Sequence, residues 1–428
     1  MTAIVSTSQP KVIFVNRYFF PDQSATSQLL SDLSVGLSRR GFTVHVLCSR
    51  QRYDQPQANL AAFEVINGVT VHRVWTTRFG RDRLTGRALD YLTFYLSSAW
   101  RLLKILRTGD TVVAKTDPPL ISIVAMIAAK ARGARLINWL QDIFPEVATH
   151  LGNNPLPRPI DAIVRRLRDS TLRAAQMNIV LGRRMCEFTR RLGVPAEGIC
   201  IIENWADNDR GQPIAAGNCS LRTHLGLEGK FVVGYSGNLG RAHEFQTVLA
   251  AAALLAPDPD IVFLMIGGGV GMTALKRAVE RLGMSNFKFL PYQPRAALPD
   301  SLAAADLHWV SLLPALEGLI VPSKAYGILA SGRPLIFIGD PEGEIARLIG
   351  PANAGVNVAV GDGPGLARQI AALKSDSGRR ECMGRNAFLL YQDRYTANRA
   401  IARWCDILGA VTPSRRPGIH VHSGGQSG

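Results

Sequence analysis

Long hydrophobic runs are missing from this chain. Its longest charge-free apolar stretches lie between Asp117 and Lys130 and between Glu244 and Asp258. Both are shorter than the roughly 20 residues a helix needs to cross a bilayer. Met1 to Pro10 has no apolar core of the secretory-signal type. Cysteine is scarce as well. Cys48, Cys186, Cys200, Cys219, Cys382 and Cys405 contain no CxxC pair, which argues against a disulfide framework and a structural zinc site and favours reduced, cytoplasmic thiols. No GxSxG string marks a hydrolase nucleophile. The 40 glycines follow no collagen-like period. What remains is a globular composition, 47% hydrophobic and 19% charged over 428 residues, with room for about two or three domains.

Negative charge is also short, and unevenly so. The formal net charge is +16. Residues 1–200 hold 27 Lys and Arg against 14 Asp and Glu, residues 201–350 hold 12 against 14, and residues 351–428 hold 10 against 5. No nucleic-acid recognition motif accompanies the excess, so no nucleic-acid partner is expected. A basic N-terminal half suits an anionic membrane surface or an acidic lipid substrate, or is simply a solvated basic face.

Hydrophobic periodicity organises the chain. Lys11 to Asn16 has strand length, Gln28 to Arg40 places Leu29, Leu30, Leu33 and Leu37 at helical spacing, Gly41 ends that helix, and Thr43 to Leu47 is the next strand. Strand, helix and strand in this order form a βαβ unit with parallel strands. The alternation continues through a strand at Val69 to Trp75, a long helix at Leu89 to Leu106 and further strands at Thr111 to Lys115 and Arg135 to Leu140. A polar, turn-rich segment follows Glu203, and a second α/β series starts at the strand Phe231 to Ser236. Ser377 to Cys405 reads as helix, and the Ser/Gly/Pro-rich stretch from Thr412 to Gly428 as a disordered tail. The expected fold class is α/β, with two doubly wound, Rossmann-like domains facing a cleft: residues 1–205, a linker at 206–222, residues 223–385, a C-terminal helix at 386–411 and the tail at 412–428.

In doubly wound sheets ligands bind beyond the carboxyl ends of the strands. Three loops of the second half fall there. Gly237-Asn238-Leu-Gly240-Arg241-Ala-His243 combines free backbone N–H groups with a cation, as a phosphate site requires. Gly267-Gly268-Gly269 admits a ligand close to the backbone. Glu317 to Lys324 opens a helix, with Ser323 as its N-cap and Lys324 within reach of an anion. Three such loops at successive strand ends indicate a nucleoside-diphosphate site.

These segments, with Val321-Pro322-Ser323-Lys324-Ala-Tyr326-Gly-Ile-Leu-Ala-Ser-Gly-Arg-Pro334 the most specific, resemble the donor domain of the family 4 glycosyltransferases. They are most like the branch that builds bacterial surface polysaccharides of the colanic-acid and O-antigen type. In the N-terminal half Tyr18-Phe-Phe-Pro-Asp22, Gln141-Asp142-Ile-Phe-Pro-Glu146 and Ile202-Glu-Asn-Trp205 occur in matching order. The resemblance covers about residues 11–408. It implies a GT-B fold, a nucleotide-sugar donor on the C-terminal domain, a lipid-linked saccharide acceptor on the N-terminal domain, and retention of anomeric configuration without a metal or other cofactor. Arg241 and Lys324 would then hold the diphosphate, assisted by N–H groups near Gly240 and Ser323. Gly237, Asn238, His243, Gly267, Gly268, Pro322 and Tyr326 would line the donor site, and Glu317 would contact the sugar. Ser24, Ala25 and Thr26 stand where the family has paired glycines facing the phosphates and the acceptor. Asp142 stands where it has a polar residue near the reacting sugar, although at a strand end it equally suits a turn cap.

The sequence departs from the family at its two glutamates eight residues apart, whose places fall on Leu319 and Gly327. Glu317 stands in for the first, and the ribose contact of the second has no carrier. Asp207-Asn-Asp209 matches a metal-binding string of another glycosyltransferase class but lies in the linker. The competing readings are a nucleotide-sugar epimerase-like enzyme of the same fold and a non-catalytic sugar-nucleotide-binding subunit. The aromatic helix ending in Arg101, Lys104 and Arg107, and the arginine-rich segment 158–173, suggest a cytoplasmic enzyme peripheral to the inner face of the membrane. Packing on its own sheet is the alternative for the aromatic helix.

Overall fold

The structure, a computed structural model, describes residues 9–80, 84–152, 156–207, 211–215, 217 and 219–411. The expected tail from Thr412 to Gly428, the first eight residues, and Asn208 and Asp209 of the linker string lie outside the described residues.

Two α/β sheets make up the molecule. The first contains β1 (Lys11–Val15), β2 (Thr43–Ser49), β3 (Phe63–Ile66), β4 (Val69–Val74), β5 (Thr111–Lys115), β6 (Arg135–Trp139), β7 (Met177–Val180) and β8 (Ile199–Ile201), in the spatial order β3-β4-β2-β1-β5-β6-β7-β8. Only β3 runs antiparallel, paired with β4 through a turn in which Asn67 and Gly68 have φ of 49° and 82°. The second contains β9 (Phe231–Asn238), β10 (Ile261–Gly268), β11 (Phe287–Leu290), β12 (Leu307–Ser311), β13 (Leu335–Ile338) and β14 (Gly355–Val358), all parallel, in the order β11-β10-β9-β12-β13-β14. Strands such as Thr111–Lys115 and Leu307–Ser311 are buried at every position, because helices cover both sheet faces.

On one face of the first sheet, helices Leu84–Ile105 and Ile121–Arg132 enclose Phe94, Leu102 and Ala125. On the other face lie helices Ala25–Arg39 and Ala397–Val411. The segment expected to be one helix over Ser377 to Cys405 is two. Helix Ser377–Arg394 packs into the second domain through Ala387, Phe388 and Tyr391, and the chain crosses back at Tyr395 and Thr396. Helix Ala397–Val411 then drives Trp404 between Phe14 and Trp139, at ring-centroid distances of 6.1 and 5.1 Å. A buried indole of this size binds the returning helix firmly to the first sheet.

The strand orders locate the ligand-binding ends. Order reverses at β1 in the first sheet, between β2 and β5, and at β9 in the second, between β10 and β12. The carboxyl ends of these strands meet across the interdomain cleft. Ile143 N donates to Leu319 O at 3.0 Å, Arg184 pairs with Asp340 at 3.2 Å, and Arg295 pairs with Asp32 at 3.1 Å. Among the described residues no helix is long and apolar enough to cross a membrane.

Candidate active site

The donor-side loops assemble around Lys324. Gly237 and Gly267 are paired in β9 and β10, with φ of 124° and 126°. A Cβ on Gly267 would run into the Gly237 carbonyl, so this glycine is required by strand packing as much as by any ligand. Gly268 lies against Tyr292. At Gly237 a Cβ would stand 2.9 Å from Lys324 Cε, so the glycine is what lets the lysine stem pass over the strand end. Asn238 is exposed at the tip of β9, and its carbonyl accepts from the Tyr235 hydroxyl at 2.9 Å.

Lys324, the first residue of helix Lys324–Ala330, carries its Nζ 5.6 Å over the Tyr235 ring and 3.0 Å from His243 Nε2. His243 Nδ1 lies 2.6 Å from Ser311 O. A carbonyl only accepts, so Nδ1 carries the hydrogen and Nε2 offers its lone pair to the ammonium. Burial and the neighbouring Lys324 push the His243 pKa down to about 3, which keeps the ring neutral. Burial alone lowers Lys324 to about 8. Among the described residues no carboxylate pairs with this lysine, so a partly buried cation stands at the switch point of the second sheet with only a neutral imidazole beside it. Ser311 Oγ donates to Glu244 O at 2.6 Å and accepts from Glu244 N at 3.0 Å, which fixes the loop carrying Gly240, Arg241 and His243 to the end of β12. Arg241 is exposed on that loop.

Lys324 and Ser323 border a cavity of about 230 Å³, with Ala25 and Gln28 on the opposite, N-terminal wall. Gly327 is part of its lining. A Cβ there would meet only Leu302 Cδ1, at 3.7 Å, so the place of the family's second glutamate is open space beside the cavity. Ser24 is the N-cap residue of helix Ala25–Arg39, but its hydroxyl turns back to Asp22 Oδ1 at 2.5 Å. The Thr26 carbonyl accepts from Lys115 Nζ at 2.8 Å. A larger cavity of about 670 Å³ lies between helix Ala25–Arg39 and residues 391–401, and its lining includes neither Lys324 nor the glycine loops.

Glu317 and Asp142 occupy the seam where the domains touch. Asp142 forms an isolated antiparallel bridge with Ile320, and Glu317 a parallel one with Ile320 from the same loop. Glu317 Oε2 accepts from Glu344 N at 3.4 Å, while its Oε1 and Asp142 Oδ1 are buried without a hydrogen-bond partner among the described residues. Burial raises Glu317 to about 7 and Asp142 to about 6. Each domain thus contributes a carboxyl group with an unsatisfied oxygen.

Two expectations need correction. Tyr326 is fully buried and packs on Tyr395 at 5.0 Å, so its ring supports the helix from the core and does not line the cavity. Ser323 stands at the N-cap position, but in the αR region, and its side chain makes no capping hydrogen bond. Pro322 is buried directly before it. The sequence reading also missed Lys115. Its ammonium sits 3.7 Å over the Trp139 ring and burial lowers its pKa, so a buried lysine braces the turn at Thr26. The signal available was a lysine closing an otherwise apolar strand.

Two doubly wound α/β domains with a cation and glycine loops at a switch point define a two-domain architecture with its ligand-binding strand ends at one cleft. Comparison with known proteins narrows it. Residues 26–205 match the glycosyl transferase 4-like domain and residues 221–389 the glycosyl transferases group 1 domain. The chain belongs to the family 4 glycosyltransferases, enzymes of the GT-B fold. It is 26% identical over 350 residues to the putative colanic acid biosynthesis glycosyl transferase WcaI of Escherichia coli K12, covering 79% of this chain and 85% of that protein. It is 26% identical over 293 residues to the probable glycosyltransferase WbjE of Pseudomonas aeruginosa, covering 68% and 73%. Among solved structures, HepE of Anabaena in complex with UDP-glucose superposes with a TM-score of 0.69 at 17% identity, covering 94% of this chain and 99% of that one.

Proposed function

We propose that this glycosyltransferase acts in surface-polysaccharide synthesis, moving a sugar from a nucleoside diphosphate to a saccharide carried on a polyprenyl diphosphate, with retention of configuration and without a metal ion. The observation that carries the reading is Lys324: a partly buried ammonium with no carboxylate partner among the described residues, held by neutral His243, beside a cavity that both domains line. Such a group is costly until an anion arrives. A diphosphate supplies that anion, and Arg241 on the neighbouring loop adds a second cation. The WcaI relative, named for colanic acid biosynthesis, supports the polysaccharide role, and the UDP-glucose complex of HepE supports a nucleotide-sugar donor.

In this reading the acceptor hydroxyl attacks the anomeric carbon from the side of the leaving group. The bond from that carbon to the phosphate oxygen breaks, and the departing phosphate takes the hydroxyl proton. Lys324 and Arg241 stabilise the charge that grows on the leaving diphosphate. Glu317 faces the sugar, and Asp142 approaches from the acceptor side of the seam. The open space beside Gly327 leaves the ribose without a carboxylate contact.

A thermal-shift and turnover screen with UDP-, GDP- and dTDP-sugars, with and without a lipid-diphosphate saccharide, tests the proposal. One nucleotide class is expected to stabilise the protein and to support transfer to the lipid. Nucleotide binding without transfer to any acceptor would instead favour the epimerase-like or non-catalytic reading. No nucleotide binding at all would refute the assignment of Lys324 and Arg241.

A further inference from the structure

Surface helices of a globular domain normally turn their apolar stripe to the core and their charges to water. Helix Leu84–Ile105 does the first and not the second. Phe94 and Leu102 are buried on the sheet, yet the solvent side carries Leu89, Leu92, Leu96 and Trp100, exposed by 46, 50, 63 and 64%. These positions recur every three or four residues and form one stripe roughly 16 Å long. The stripe ends in Lys104, whose ammonium lies 4.4 Å over the Trp100 ring, and the exposed Arg107 follows.

Two neighbouring helices extend this surface. Ile121–Arg132 packs beside Leu84–Ile105 and exposes Ile127, then Lys130 and Arg132. Arg158–Ala174 packs beside Ile121–Arg132, joined to it by a 3.1 Å contact between Ser122 and Thr171, and exposes Ile160, Ile163 and Leu167. Arg165 and Arg168 of that helix are paired with Glu146, whereas Arg158 and Arg166 are exposed and have no carboxylate partner among the described residues. Acidic side chains are almost absent from the three helices. Asp90 is buried, and Asp161 and Asp169 are paired with Arg165 and Arg168.

We infer that this three-helix face docks on an anionic lipid bilayer, with Leu89, Leu92, Leu96, Trp100, Ile160, Ile163 and Leu167 entering the headgroup boundary and the flanking lysines and arginines meeting lipid phosphates. Apolar side chains rimmed by cations, with the acidic side chains of these helices buried or paired, are the arrangement an interfacial surface needs. The geometry also gives the docked protein an orientation. In parallel α/β connections each helix starts from the carboxyl ends of the strands, so Leu89 and Ile160 lie at the cleft end of the sheet. The cleft mouth then opens beside the lipid surface. This deepens the proposed transfer to a lipid-linked acceptor but rests on surface features that are independent of donor binding.

The test is flotation of the full-length protein with phosphatidylcholine vesicles containing 30% phosphatidylglycerol or none, at low and high salt. Binding is expected to require phosphatidylglycerol and to weaken steeply with salt. Arg158→Gln with Arg166→Gln should lower vesicle affinity about 30-fold, as the loss of two surface cations predicts, and Leu96→Ser with Trp100→Ser should lower it about tenfold or more. All four residues are exposed, so unchanged melting temperatures will show that the variants fold. Absence of phosphatidylglycerol-dependent binding, or binding unaffected by both variants, overturns the inference. Disruption of a solution oligomer by the Leu96 and Trp100 changes overturns it as well, since it would assign the face to another copy of the chain. Nucleotide-sugar binding measured on the same samples separates these outcomes from failure of the donor site.

Discussion

Replacing Lys324 with methionine should make the ligand-free protein more stable and the enzyme much slower. Holding the ammonium beside His243 moves its pKa from 10.5 to about 8, which corresponds to about 3 kcal/mol against the charged form. Methionine removes that penalty and keeps most of the buried stem. It also loses the hydrogen bond to His243 Nε2, worth about 1 kcal/mol, so a net gain of about 2 kcal/mol is expected. The pH dependence follows in sign. The unfolded chain keeps the lysine proton up to about 10.5 and the folded chain releases it near 8, so wild-type stability gains from this group as pH rises through that window. The methionine variant lacks that rise. Transfer, in contrast, loses a cation aimed at the leaving diphosphate, an effect of about 100- to 1000-fold in kcat by analogy with removal of other preorganised charge-stabilising groups. Thermal melts from pH 7 to 10, with and without saturating nucleotide-sugar, together with initial rates, give both readouts. A variant that melts lower than wild type and binds nucleotide within threefold of it would show that Lys324 is structural and refute the reasoning.

Glu317→Gln should lower kcat/KM by about 10- to 100-fold, the worth of a hydrogen bond to a charged group, and remove an inflection near pH 7 from the rate profile. Because burial raises this carboxyl from 4.5 to about 7, the folded protein holds a proton that the unfolded chain has lost, and ligand-free stability falls as pH rises through that window. The glutamine variant should not show that fall in pH-dependent melts. Arg168→Ala should cost about 1.5–3 kcal/mol in denaturant unfolding, because the buried Glu146 loses two contacts of 2.9 and 2.7 Å and keeps Arg165 as its partner. Trp404→Ala should cost about 3–5 kcal/mol and loosen the returning helix from Phe14 and Trp139, which limited proteolysis at Thr396 would detect.

The alternation of buried strands and amphipathic helices was legible because both sheets, β3 apart, are parallel and covered on both faces, so their strands read as short apolar runs. Strand β3 was not recognised, although its signal was present: Asn67-Gly68 between two short runs is a two-residue hairpin turn. The break at Tyr395 and Thr396 carries neither proline nor glycine; contacts distant in sequence set it, the bridge to Ala206 and the docking of Trp404. At the site, the glycine loops, His243 and Lys324 were visible as residue types at strand ends. The link from the Ser311 carbonyl through His243 to Lys324 was not, because it joins groups 68 and 81 residues apart in sequence. Tyr326 shows the reverse. A residue inside the most specific motif belongs to the core, since a motif read as a string does not distinguish the helix face that lines a cavity from the face that packs beneath it.

The most direct test of the central claim is a transfer assay with the purified full-length protein, a nucleotide-sugar donor and a lipid-diphosphate saccharide, read by NMR at the new anomeric centre. The expected product is a glycosylated lipid whose anomeric configuration matches that of the donor, with nucleoside diphosphate released in equal amount. Free sugar with no new glycosidic bond, an epimerised nucleotide-sugar, or a product of inverted configuration would contradict it.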